Sequence, residues 1–285
     1  MVPRPRLRGV SRPFRQVDVF TEQPYLGNPV AVVLDGEGLA DEELQRFANW
    51  THLSETTFVL PPTVAEADYR VRIFTPHREL PFAGHPTIGT CHAWLEHGGT
   101  PAGDVIVQEC GAGLVRLRRD GGRLAFAAPP LLRSGPVDED LVQRVAGILG
   151  IDRATILDAE WVDNGPGWLA VLLPDADAVL AVTPGDLQGL DIGVVAPAPP
   201  GSDVALEVRA FFPSGSAPAE DPVTGSLNAA LPSWLVRTGR VTLPYVAAQG
   251  TALGRRGRVH LAEDAAGTLW VGGSAVTAVV GTVEL

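Results

Sequence analysis

The stretch Val71-Arg72-Ile73-Phe74-Thr75-Pro76, followed by Ala83-Gly84-His85-Pro86-Thr87-Ile88-Gly89-Thr90, decides the fold because the chain carries it twice. It returns as Val208-Arg209-Ala210-Phe211-Phe212-Pro213 and then Ala219-Glu220-Asp221-Pro222-Val223-Thr224-Gly225-Ser226. Two looser pairs keep the same order. Gly27-Asn28-Pro29-Val30-Ala31-Val32-Val33 matches Asn164-Gly165-Pro166-Gly167-Trp168-Leu169-Ala170-Val171, and Gln108 with Gly113 matches Gln249 with Gly254. One such match arises by chance, whereas an ordered series indicates an internal duplication. Ala127-Ala128-Pro129-Pro130 breaks the pattern near the middle of the chain. The expected organisation is a disordered basic tail over residues 1–13, a first domain over 14–128 and a second over 129–285, whose last strand can return to the first. Two related domains are expected to face each other across a cleft, a favoured place for a pocket.

Within the first unit, Phe14–Phe20, Pro29–Leu34, Thr56–Leu60 and Tyr69–Phe74 read as strands separated by turn residues. Asp41 reads as the cap of a helix that carries Leu44, Phe47 and Ala48 on one face. Pro86–His97 reads as a second helix, ended by Gly98-Gly99. The expected class is therefore α+β, a strand-rich unit around one well-placed helix and not a βαβ repeat.

Composition narrows the chemistry. The chain has 285 residues, 45% of them hydrophobic, enough for two domains with real cores. No apolar run approaches the roughly 18 residues of a spanning helix, so no membrane partner is expected. A net charge of −11 opposes nucleic-acid binding. All 22 basic residues are Arg, which excludes a lysine Schiff base, a Walker loop and a kinase-type lysine. Cys91 and Cys110 stand apart without zinc spacing and read as reduced thiols of a cytoplasmic protein. The segment Met1–Arg15 holds Arg4, Arg6, Arg8, Arg12 and Arg15 but no apolar core, so it does not read as a secretory signal.

Three groups carry the candidate chemistry. His85 and Asp221 precede Pro86 and Pro222, so each is expected to cap a helix with proline in its first turn. Two such helix starts facing one cleft would make an anion site, and Gly84, Gly89 and Gly225 would let a ligand approach the backbone. Taken singly, Asp221 is a good cap and His85 a turn histidine; the matched pair in a duplicated chain points to a site. Thr90 and Ser226 hold equivalent positions as hydroxyl donors. Glu55, at the start of an apolar and β-branched strand, fits both a solvated edge carboxylate and a desolvated acid/base. A triad of Ser226, His85 and Asp221 fits the residue types but lacks Gly-x-Ser-x-Gly. Gly111-Ala112-Gly113 lacks the third glycine of a dinucleotide fingerprint, and His92, Glu96 and His97 lack a zinc helix's spacing. No metal and no cofactor are expected.

The Gly27-Asn28-Pro29 turn, Leu53-Ser54-Glu55-Thr56-Thr57-Phe58, Glu79-Leu80-Pro81-Phe82-Ala83-Gly84-His85-Pro86-Thr87, Glu220-Asp221-Pro222-Val223-Thr224-Gly225-Ser226 and Gln249-Gly250 resemble the PhzF-like phenazine-biosynthesis family, in order along nearly the whole chain. The resemblance implies the diaminopimelate-epimerase-like fold, two similar domains each with a β-barrel-like sheet around a central helix. It implies a homodimer and a cofactor-free isomerase, the phenazine member acting on trans-2,3-dihydro-3-hydroxyanthranilate. It implies Glu55 as general acid/base, assisted by His85, Asp221 and Ser226. Gly84 and Gly225 would supply backbone donors, with Asn164 and Thr224 completing the substrate-binding set. Related amino-acid epimerases carry cysteines at the helix starts; His85 and Asp221 here exclude a two-thiol racemase. The chain departs from the phenazine type at Gly167-Trp168, where that type has an Arg. The expected activity is proton transfer between carbons of a small, cyclic carboxylate bound in the interdomain cleft. A Ser226-dependent hydrolase and a ligand-binding homologue without turnover are the alternatives.

Overall fold

The computed structural model describes residues 9–214 and 217–285. Eighteen strands form one hydrogen-bonded network, and the chain threads it twice in the same order. In the first half, strand Asn28–Val33 leads through helix α1 (Asp41–Thr51) to the parallel strand Glu55–Leu60. The antiparallel strand Tyr69–Phe74 follows, and helix α2 (Gly84–Glu96) returns the chain to the parallel strand Val105–Cys110. In the second half, helix α3 (Glu139–Leu149) precedes the same course. Strand Trp168–Leu172 runs through helix α4 (Ala176–Ala181) to the parallel Asp191–Pro197. Leu206–Ser214 then leads through helix α5 (Gly225–Leu235) to the parallel Tyr245–Gln249. The α+β class holds. The exclusion of βαβ units does not: each half contains two parallel crossovers, because its helices connect strands that pair side by side.

α2 and α5 sit inside because apolar and small residues surround most of each, with few polar residues reaching solvent, His92 and Glu96 at the end of α2 and Ser233 on α5 among them. Every residue from Gly84 to Cys91 is buried, and so are Leu227–Pro232 with Trp234 and Leu235. A helix apolar around most of its circumference must lie in a core, and the main core cluster draws Val19, Phe20, Ile88, Phe126, Leu227, Leu231 and Trp234 from both halves. α1 instead buries only Leu44, Phe47 and Ala48, against Val33, Phe58 and Phe74.

Two antiparallel pairings join the halves or close the chain on itself. Arg123–Ala127 pairs with Leu269–Gly273, and Ser11–Val19 pairs with the final strand, Ala275–Glu284. The second pairing corrects the tail boundary: Ser11, Arg12 and Pro13 are strand residues, and Arg12 is buried with its guanidinium on the Asp35 carbonyl at 2.7 Å. Val10 extends that pairing, exchanging backbone hydrogen bonds with Leu285, and residues 1–8 of the expected tail lie outside the described residues. Among the described residues no helix is long and apolar enough to cross a membrane.

Candidate functional site

The starts of the two central helices touch. A β-carbon added to Gly225 would stand 2.9 Å from Gly84 Cα and 3.0 Å from the His85 amide; one added to Gly84 would stand 2.7 Å from Phe126 Cζ. Glycine is required here for size alone. Gly225→Ala should therefore destabilise the protein by about 1–3 kcal/mol through overpacking. An unopposed Gly→Ala in a helix would instead stabilise it by about 0.5–1 kcal/mol, so the sign of the change in a denaturant titration tests the contact. The amides of Gly84, His85, Gly225 and Ser226 all lie in first turns, where a helix supplies no acceptor.

The helix frames differ from those read in the sequence. α2 begins at Gly84 with Ala83 as its cap residue, and α5 begins at Gly225 with Thr224 as its cap residue. His85 is thus inside the first turn of α2, and Asp221 ends the strand Ala217–Asp221 ahead of α5. Neither is a cap, and neither proline occupies the first helical position. The repeated Pro marks the same loop but not the same helical turn, because Pro86 lies two residues after the start of α2 whereas Pro222 lies three residues before the start of α5.

Asn28, left out of the candidate set, ties these parts together. It is fully buried, and its amide nitrogen donates to Asp221 Oδ1 at 2.8 Å and the Val223 carbonyl at 2.9 Å, with His85 Nδ1 at 3.3 Å. An amide has two hydrogens, so the two shorter contacts take them and His85 Nδ1 keeps its lone pair for another donor. Glu55 Oε2 stands 3.4 Å from that nitrogen. Strand pairing explains the meeting, since Val30, two residues after Asn28, lies opposite Glu55. The only local signal for Asn28 was its place in the Gly27-Asn28-Pro29 turn.

Burial sets the charges. It pushes the Glu55 carboxyl up from 4.5 to about 8, and the nearby Asp221 charge adds to the rise. It pulls the His85 imidazole down from 6.5 to about 3, against a smaller pull from the Pro29 carbonyl. Glu55 and His85 are therefore not an ion pair at neutral pH despite their closeness; both are neutral. Burial also raises Asp221, to about 6, with Thr224 and Asn28 hydrogen bonds opposing it. Between about pH 6 and 8 the two carboxyls share one proton, held on Glu55. Glu55 is also the exposed member, its side chain 15% accessible against 5% for His85. Its Oε2 makes no hydrogen bond within the protein.

The other expected residues divide. Asn164 donates to the Ser226 carbonyl at 2.9 Å and leaves its own Oδ1 buried without a partner, so it stays beside the helix start. Ser226 Oγ accepts from the Trp168 indole at 2.9 Å. An indole N–H cannot take a proton from the hydroxyl, and Ser226 Oγ makes no hydrogen bond to His85, whose Nδ1 faces Asn28 and Glu55, so the triad contact is absent. Thr224 is a support and not a free donor: its hydroxyl donates to Asp221 Oδ2 at 2.7 Å, and its amide donates to Gln249 Oε1 at 3.0 Å. Thr90 is buried and donates to Thr57, away from the helix start. The matched glutamines each brace a central helix: Gln108 donates to Thr87, and Gln249 donates to Thr224 while accepting from Asn228.

Residues 17–281 match the phenazine biosynthesis-like protein family. The chain belongs to that family. Family relatives include antisense-enhancing sequence 1 of Schizosaccharomyces pombe, 38% identical over 94% of this chain and 97% of that protein. The trans-2,3-dihydro-3-hydroxyanthranilate isomerase of Pseudomonas aeruginosa is 33% identical over 88% of this chain and 90% of its own. A PhzF family structure from Bacillus anthracis shares the fold, with a TM-score of 0.83 at 24% identity, covering 97% of this chain and all of the other. The resemblance read from the motifs is thereby confirmed over nearly the whole chain.

Proposed function

We propose that this family member is an isomerase that moves a proton between two carbons of a small cyclic carboxylate, with Glu55 carrying the proton. The supporting observation is the state of Glu55: a partly accessible carboxyl with a pKa of about 8, an unpaired oxygen, and two opposed helix starts beside it. A carboxyl so tuned can both take and return a proton near neutral pH. Its carboxylate breaks a C–H bond, the electron pair shifts through the conjugated substrate, and the Glu55 carboxyl, after exchange with solvent, delivers a proton to form a new C–H bond at another carbon. The free amides of Gly84, His85, Gly225 and Ser226 suit the substrate carboxylate. Neutral His85 positions the Glu55 carboxyl and does not titrate in the working range, and ionised Asp221 fixes Asn28. The name of the Pseudomonas aeruginosa relative, a hydroxyanthranilate-type isomerase, supports a ring-bearing amino or hydroxy acid as the substrate class.

Incubating the protein with such an acid in deuterated water tests the reading. Isomerised product carrying deuterium at the new C–H position supports it, and ester hydrolysis without isomerisation overturns it. The pH dependence has a definite sign. The working base is the ionised form of a group whose folded pKa is raised, so kcat/KM should rise about tenfold per pH unit below about 8 and level off above it. A profile that falls through pH 8 would make proton donation the first step.

A further inference from the structure

The turn from Phe20 to Asn28 has two sides. Asn28 faces the acid cluster, while the carbonyls of Leu26 and Phe20 accept from the amides of Arg256 and Arg258 at 2.7 and 2.8 Å. On that second side lies a concavity of about 330 Å³, with Arg123, Arg256, Arg258 and His260 in its wall beside Glu22 and Asp203, and with the half-buried Leu26 and Val246 as apolar lining. Glu55, His85, Asp221 and Ser226 are not among the residues that line it.

Its cations are poorly neutralised. Among the described residues, Arg123 and Arg256 have no carboxylate within 4.0 Å. Arg123 Nε is buried without a hydrogen-bond partner. Arg258 reaches Asp203 through Nε and Nη2, both at the long distance of 3.4 Å, and that carboxylate is 69% exposed. Such a pair contributes little. His260 is held neutral by burial, then by the charges of Arg123 and Arg258, with Asp120 and Glu22 opposing. Three guanidinium groups against the two exposed carboxylates Glu22 and Asp203 leave the recess net positive in a chain with net charge −11, and an anion joining the guanidinium groups relieves their repulsion.

We infer that this recess binds a small phosphate ester: guanidinium forks hold the phosphate, which displaces Asp203 from Arg258, and the carbon group rests on Leu26 and Val246. Arg forks match phosphate oxygens in pairs, and an apolar floor beneath a few convergent polar groups is the usual form of a small-molecule site. No bond is made or broken, and the site is separate from the proton-transfer cluster.

Calorimetric titration and melting curves of the whole chain with phenyl phosphate, inorganic phosphate and sodium chloride test it. Phenyl phosphate should bind more tightly than inorganic phosphate, both should raise the melting temperature, and chloride at equal ionic strength should not. Arg256→Ala, an exposed position, and Arg258→Ala should each weaken binding by about tenfold or more, the worth of one charged hydrogen bond. Asp203→Asn should tighten it, and Glu55→Gln should leave it unchanged. Absence of binding to the wild-type chain overturns the inference. So does stabilisation matched by chloride, or binding lost in Glu55→Gln but kept in both Arg variants.

Discussion

Glu55→Gln should reduce turnover by about two to four orders of magnitude, the usual worth of a positioned acid/base. The substitution keeps the size of the side chain and its place opposite Val30, but it ends proton exchange at the carboxyl. Affinity for substrate should change far less, because the helix-start amides that suit the carboxylate belong to other segments. Stability moves the other way. The folded protein holds the Glu55 proton up to about pH 8, whereas the unfolded chain releases it near 4.5. The unfolded state thus binds fewer protons across that window, so wild-type stability falls as pH rises through it. The glutamine variant escapes that loss, and its melting temperature should exceed the wild type's by a margin that grows from about pH 4.5 to about 8. Rate, affinity and melting temperature measured on one variant separate these effects. Near-normal turnover would remove Glu55 from the mechanism, whatever the melting curve shows.

Arg209→Ala should cost about 3–5 kcal/mol, the cost of leaving a buried ion-pair partner alone, and lower the melting temperature by on the order of 10 °C. Arg209 holds Glu220 through Nε at 2.9 Å and Nη2 at 2.7 Å. Its Nη1 donates to the carbonyls of Val179 and Val182 at the end of α4, at 3.1 and 2.7 Å. The two charged side chains are only 7% and 10% exposed. Removing the guanidinium therefore strands a buried carboxylate beside Asp221 and frees two buried carbonyls. Arg209→Met combined with Glu220→Leu should recover much of the loss, since an apolar pair of similar volume leaves no charge unpaired. The duplication supplies a control. Arg72 grips Glu79 with the same two-point geometry, at 2.7 and 2.6 Å, but Glu79 is 42% exposed. Arg72→Ala should cost no more than about 1 kcal/mol, as solvated pairs do. Equal losses at the two arginines, read from denaturant midpoints, would refute the assignment of the difference to burial.

That contrast also divides what was legible in the sequence from what was not. Val71-Arg72 and Val208-Arg209 are the same motif, and the chain alone marks both as strand residues of a repeated unit. The repeat, the strand pattern and a carboxylate opening a β-branched strand all follow from local order and periodicity. So did the chemistry excluded by the missing lysine. Local patterns record which face of an element is apolar and where turns fall. They do not record which of two equivalent ion pairs a neighbouring helix will cover, and only α4, closing over Arg209, made that pair a buried one. The site shows the same division. Glu55, His85 and Asp221 are visible as residue types and Glu55 as the start of a strand, but the helix positions of His85 and Asp221 differ from those the prolines suggest. Asn28 joins His85 and Asp221 across 57 and 193 residues of chain, so no local signal reports the contact. The pairing of strands from both halves sets that distance, and the bare contact of Gly84 with Gly225 brings the two helix starts together. The residue types were written in the sequence; the low dielectric that gives Glu55 a proton and removes one from His85 exists only where the two halves close around them.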